Sequence, residues 1–351
     1  MLVLDKMLLT SLVLWRAVWA VLSQTWYVPD ETWQSVEVAH RVVWGRGVLT
    51  WEWDKDIRSS IHPTVFIIVF KLLSLLHLDY QWLVVLVPKL MTGTMTAMAD
   101  YATYNMVKRR EGSSCAAWFL LLLQTNWFSL YSGSRTVINT LETSLFCLGL
   151  SVYPRPLYLS MVSLSVMLRP TIAVAWLPIC LEHLLSTLRT KGIIKIIQLS
   201  VAPVITILLV FLLDSLFYGR WTLTPLNFFQ MNIVHNLGQF YGTHPPYWYL
   251  THALIPILGP LLIPVMLDLP RSPRLVMLPC ISTITFLSLL PHKEMRFLQP
   301  ILPLLLYSAA RFLSTWVRRP PSSTWVVCMV FINIPLALYL SLVHQRVVSF
   351  V

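Results

Sequence analysis

The feature that most constrains this chain is a succession of apolar runs separated by short polar stretches. The runs lie at about 7–22, 61–78, 82–106, 115–131, 141–153, 157–168, 171–185, 193–217, 250–267, 275–290, 298–312 and 325–343. In lipid every backbone N–H and C=O must be satisfied within its own segment, so such runs are read as helices. A straight span needs about 20 apolar residues, so the shorter runs are expected as half-spans or as helices continued by polar flanks. The expectation is an all-α polytopic membrane protein with nine to twelve membrane helices, forming one integral domain over residues 1–351.

Charge supports that class. Charged residues make up 12% of the chain and hydrophobic ones 56%, against about 25% charged in soluble domains. The net charge of +11 could suggest nucleic acid, but the basic residues group beside the apolar runs: Lys108-Arg109-Arg110, Arg189 with Lys191 and Lys195, Arg271 with Arg274, and Arg318-Arg319. That is the pattern of loops under the positive-inside rule, so the expected partner is the lipid bilayer and no nucleic acid. The first run lacks a small-x-small cleavage pattern and contains Trp15 and Trp19, so it is expected as an uncleaved anchor. The cysteines (Cys115, Cys147, Cys180, Cys280, Cys328) form no CxxC pair and are read as small buried hydrophobes, with no metal site. Prolines such as Pro178, Pro203, Pro256, Pro260 and Pro264 interrupt the runs, and broken helices suit a bundle around a cavity.

Polar islands carry the candidate chemistry. The loop at 23–60 includes Val28–Ser60, with six of the chain's fifteen acids. Pro29-Asp30-Glu31 reads as a helix start; beyond it Asp30, Gln34, Glu37 and Arg41 share one face, with Trp33, Val36, Ala39 and Val43 nearer the other. That spacing predicts an amphipathic helix on the bilayer surface, with Trp33 at headgroup depth. A second cluster, Trp51-Glu52-Trp53-Asp54, leads to Arg58. At this level the acids are open to either a catalytic or an architectural role. The loop at 291–297 packs His292, Lys293, Glu294 and Arg296 between two apolar runs. Ionisable groups so placed are costly unless they pair or face a cavity, and two cations suit a lipid phosphate. The segment 217–248 is rich in aromatics and amides and carries His235 and His244, as a lid or sugar-stacking surface would be. In SRTVINTLET, Arg135, Asn139 and Glu142 fall at helical spacing, as either a cavity face or an internal ion pair.

The strings PDETWQSVEVAH, TWEWDKDIRS, WTLTPLNF, NLGQFYGTHPPYWY and HKEMRF together resemble the GPI mannosyltransferase family, whose members use dolichyl phosphate mannose. The resemblance runs from about Thr25 to Tyr307 and implies a GT-C-type helical bundle in the endoplasmic reticulum membrane, with lumenal interfacial helices and a lumenal active site. It further implies transfer of an α1,2-linked mannose from dolichyl phosphate mannose to the second mannose of the GPI precursor glycolipid, without a further cofactor. Members of the family are usually longer, with more chain after the region of Val351.

A β-linked donor and an α-linked product call for one inverting displacement, with a single carboxylate base and fixed cations on the departing phosphate. Asp30 is the expected base and Glu31 its competitor. His292, Lys293 and Arg296 are expected at the donor phosphate, and Trp51, Glu52, Arg58, Arg135 and His244 in the substrate cavity. The alternatives are a sister lumenal mannosyltransferase acting on the N-glycan precursor, a non-catalytic subunit of a lipid-linked complex, or a lipid or sugar transporter or scramblase. The last predicts repeated halves and mid-span charges, whereas these acids cluster in loops.

Overall fold

A computed structural model describes residues 2–317 and 321–345; the basic pair Arg318-Arg319 lies outside the described residues. Within them every regular element is helical, as lipid requires. Gln81–Glu111, Pro170–Tyr218, Tyr249–Arg271 and Met295–Val317 are long and apolar enough to cross a membrane, and six further apolar helices run 10–17 residues.

The interruptions have local causes. The expected runs at 171–185 and 193–217 join through Gly192, whose φ of 75° and ψ of −178° divide Ala173–Tyr218 into two helices at a kink. Positive φ carries no Cβ penalty at glycine. The run at 115–131 is cut at Asn126, whose side chain accepts from the N–H groups of Phe128 and Ser129 and so caps a new helix, Trp127–Ser132. The run at 250–267 breaks into Tyr249–Ala253, Leu254–Leu258, Gly259–Leu261 and Leu262–Asp268, because Pro256, Pro260 and Pro264 remove ladder donors.

Tight packing of large side chains joins the bundle: Trp118, Phe119, Phe146, Tyr158, Trp176 and Tyr307 are fully buried in one cluster. Lipid tails are as apolar as leucine, so polar ties and close packing hold such helices together. The main tie at the first helix is Arg16. It donates to Asp100 Oδ2 at 3.0 Å from Nε and 2.7 Å from Nη2, and to the Ser129 carbonyl at 2.8 Å from Nη1. Gln124 gives Asp100 a further hydrogen bond at 2.9 Å. One guanidinium thus joins Leu2–Leu22 to Gln81–Glu111 and to Trp127–Ser132. Gly133 makes room for it, since a Cβ there would collide with the Arg16 guanidinium and come within 2.6 Å of the Ser129 carbonyl.

Removing one partner of a buried ion pair strands the other charge, at about 3–5 kcal/mol. Arg16→Met should therefore lower the unfolding midpoint in detergent sharply. The double variant Arg16→Met/Asp100→Leu should recover much of the loss, because it leaves no orphaned charge. A double variant no better than the single would show that the pair is not what holds this helix.

Candidate active site

Two buried arginines fix the Pro29-Asp30-Glu31 stretch, and they pull its neighbouring acids in different directions. Arg135 is fully buried and takes Glu31: its Nη1 lies 3.0 Å from Glu31 Oε2 and 2.7 Å from the Thr25 carbonyl, and its Nε donates to the Tyr131 carbonyl at 3.0 Å. The guanidinium also lies over the Tyr131 ring, 4.3 Å from its centroid. Thr136 Oγ1 adds a hydrogen bond to the Glu31 carbonyl at 2.8 Å. Arg296 takes Asp30, with Nη1 2.6 Å from Asp30 Oδ2. Its Nε and Nη2 hold both oxygens of Glu294 at 2.6 and 2.7 Å, a bidentate fork that fixes the plane of the guanidinium.

Asp30 therefore opens onto a cavity of about 560 Å³, while Glu31 does not line it. The chain then makes a π turn over Thr32–Val36 before the helix Glu37–Trp44; such turns recur at functional sites. Ala39, with Val36, Val43 and Trp44, packs on Phe66, Ile67 and Phe70 of Ile61–Leu75. The helix expected to lie on the bilayer thus rests partly on the protein, and Trp33 lines the cavity.

The second wall comes from residues 50–58. Glu52 accepts from Arg58 Nη2 at 2.5 Å and from Gln34 Nε2 at 3.1 Å. A carboxylate only accepts, so the Gln34 amide must turn its NH2 to Glu52. Its Oε1 is left buried without a partner, as is Arg58 Nε. This wall is anchored from behind: Asp214 accepts from the Ser60 N–H at 2.7 Å and from Ser59 Oγ at 3.1 Å, and Arg220 holds Asp56 at 2.7 and 2.8 Å. The segment 217–248 closes a third side with Phe228, Asn232, Ile233 and Tyr241, and Tyr241 OH accepts from Trp51 Nε1 at 3.1 Å.

The sequence-expected residues separate cleanly by geometry. Asp30, Trp51, Glu52, Arg58, His292 and Arg296 line one cavity. Glu31 and Arg135 pair behind it. Lys293, expected at the donor phosphate, is not in that wall: its ammonium donates to the Leu290 carbonyl and, at 3.1 Å, to the His244 carbonyl. His244 does not line the cavity either; it stacks on Trp248 with centroids 4.9 Å apart, and its N–H binds the Pro291 carbonyl. Arg169 and Gln34 were not singled out in the sequence, yet both line the cavity. The signal for Arg169 was there, an arginine between two apolar runs and beside Pro170. In SRTVINTLET, Arg135 pairs with Glu31 and Glu142 with Arg169, while Asn139 accepts a hydrogen bond from Arg169; Asn139 and Glu142 also line a small pocket beside it.

A profile of the Alg9-like mannosyltransferase family matches residues 7–351. The chain belongs to the Alg9-like mannosyltransferase family. Mouse GPI alpha-1,2-mannosyltransferase 3 is 37% identical over 340 residues, covering 93% of this chain and 61% of the mouse protein. The human protein of the same name is 36% identical over 340 residues, with 93% and 60% covered. This chain thus spans about three fifths of those relatives' length. In three dimensions it is similar to ArnT from Cupriavidus metallidurans bound to undecaprenyl phosphate, with a TM-score of 0.65 at 14% identity over 89% of this chain and 61% of that one. The GT-C-type helical bundle expected from the sequence is the fold found.

In this family member the 291–297 loop has a defined charge state. Burial favours the neutral form of Glu294, but the hydrogen bonds from His292 and Arg296 and the Arg296 charge outweigh it and hold the carboxyl down at about 2. The same Glu294 contact, 3.0 Å from His292 Nε2, raises the imidazole above its usual value against the opposing effect of burial. The stabilisation that His292 adds is therefore present in full below its unfolded value, about 6.5, and is lost as pH rises through its raised folded value. The difference in thermal midpoint between wild type and His292→Gln should shrink as pH goes from 6 to 9, from a contribution on the order of 1 kcal/mol. A difference independent of pH would contradict the pairing.

Proposed function

We propose that this chain catalyses transfer of an α1,2-linked mannose from dolichyl phosphate mannose to the second mannose of a GPI-precursor glycolipid, at the lumenal side of the endoplasmic reticulum membrane. Family membership and the names of the similar mouse and human proteins support the reaction class. The observation that carries the reading is the placing of the acids: of the neighbouring carboxylates, Asp30 opens to the cavity while Glu31 is locked onto Arg135.

An inverting displacement needs one base on the face opposite the leaving group. Asp30 takes the proton of the acceptor hydroxyl as that oxygen bonds the anomeric carbon of mannose. The bond from that carbon to phosphate oxygen breaks, and its electron pair leaves on the lipid phosphate. Arg296 fixes the orientation of Asp30 through the 2.6 Å ion pair, and Glu294 fixes Arg296. The unpartnered Gln34 Oε1 and Arg58 Nε are an acceptor and a donor suited to sugar hydroxyls in the same wall. Trp51 and Tyr241 add aromatic surface.

Asp30→Asn preserves shape and removes the base, so transfer in microsomes should fall about 10²–10⁴-fold with membrane insertion retained; the thermal midpoint should fall only modestly, because Glu294 still holds Arg296. Near-normal transfer by this variant would remove Asp30 from the base role. Glu31→Gln should instead lower the yield of folded protein, since it strands the buried Arg135.

A further inference from the structure

We infer that Arg169 is the side chain that binds the phosphate of the lipid-linked donor, with Arg296 reserved for the base and Lys293 outside the site. The inference deepens the mannosyltransferase reading and rests on it.

The charge balance of the cavity leads there. Among the described residues its wall carries the carboxylates Asp30, Glu52 and Glu294 and the guanidiniums Arg58, Arg169 and Arg296. A phosphate anion needs a cation that is not already neutralised. Arg296 has two carboxylates at 2.6 Å, so its charge is already matched before an anion arrives. Arg58 has Glu52 at 2.5 Å. The approach of Arg169 to its carboxylate is looser, with Nε 3.7 Å from Glu142 Oε2. Its close partners are neutral: Nη1 donates to Asn139 Oδ1 at 2.7 Å, and Nε to Thr171 Oγ1 at 3.1 Å. With Nε and Nη1 on neutral oxygens, the guanidinium keeps its charge available to a ligand in the cavity wall that it lines.

Its surroundings fit a lipid phosphate. The guanidinium lies over the Phe297 ring, 4.9 Å from the centroid, and shares its corner of the wall with Thr171, Leu287 and Phe297. A polyprenyl phosphate joins an anion directly to an apolar chain, and this corner offers a cation directly beside apolar surface. The Gln34, Glu52 and Arg58 wall offers hydroxyl partners instead, which suits the sugar end. Arg169 is also pre-set, since Asn139 ties it to the loop through a 3.2 Å hydrogen bond to the Arg296 carbonyl. Binding therefore costs little side-chain ordering.

The probe is citronellyl phosphate, with citronellol and inorganic phosphate as controls, titrated into the purified full chain in detergent by calorimetry. Wild type should bind the prenyl phosphate and neither control at the same concentration. Arg169→Met should weaken it roughly 10–100-fold, the size of a charge-assisted contact to an anion. Arg169→Lys keeps the charge without the fork and should fall between, with thermal midpoints taken in parallel to exclude misfolding. Lys293→Met should bind within about two-fold of wild type. Loss of binding in Lys293→Met with Arg169→Lys and Arg169→Met unaffected would overturn the assignment and leave the reaction standing. A wild type that binds no prenyl phosphate would remove both.

Discussion

The Arg296 guanidinium, held between Asp30 and Glu294, is the interaction on which the geometry of this site depends. A carboxylate beside a membrane is costly unless it is paired, and an unpaired arginine is costly for the same reason. Here one planar cation pairs with two acids from distant parts of the chain: the fork holds Glu294, and Nη1 lies 2.6 Å from Asp30 Oδ2 as an ion pair. The loop at 291–297 and the segment at 28–36 are thereby brought to one cavity. His292 extends the arrangement by binding Glu294 on one side and the Gly242 carbonyl, at 3.1 Å, on the other, which brings the 217–248 segment into the same unit.

Around that clasp the fold works by stationing each buried charge on a specific partner. Arg16 with Asp100 secures the first helix, Arg135 with Glu31 secures the stretch before Asp30, and Arg169 with Asn139 and Glu142 secures the far wall. These ties do in lipid what hydrophobic burial does in water: they fix which helix faces which. Together they leave Asp30 with the open carboxylate of its pair and Arg169 with the least committed guanidinium of the cavity.

Much of this was legible in the sequence because polar islands in an apolar chain have few places to go. The islands at 28–60, 217–248 and 291–297 converge on one cavity, and Asp30, Trp51, Glu52, Arg58, His292 and Arg296 are all in its wall. Direction was not legible. Asp30 and Glu31 are adjacent, and so are His292 and Lys293, yet each pair splits between the cavity and a backbone or arginine partner behind it. In such non-repetitive stretches no periodicity says which way a side chain turns; tertiary hydrogen bonds decide it. Arg169 was passed over, and Gln34 was read only as part of a polar helix face, for related reasons. The first was a lone charge between two apolar runs, and the second an ordinary polar position on a helical face whose value comes only from Glu52, eighteen residues on. A helix boundary was missed where one residue decided it, at Asn126, whereas the break at Gly192 falls between two of the expected runs.

The central claim is that this cavity moves mannose between two lipid-linked substrates. The most direct measurement supplies the purified chain with radiolabelled dolichyl phosphate mannose and a dimannosyl GPI-precursor glycolipid, then digests the product with an α1,2-specific mannosidase. The account predicts label in a trimannosyl glycolipid, released by that enzyme. Label confined to the donor, or a labelled product that resists the mannosidase, would contradict it.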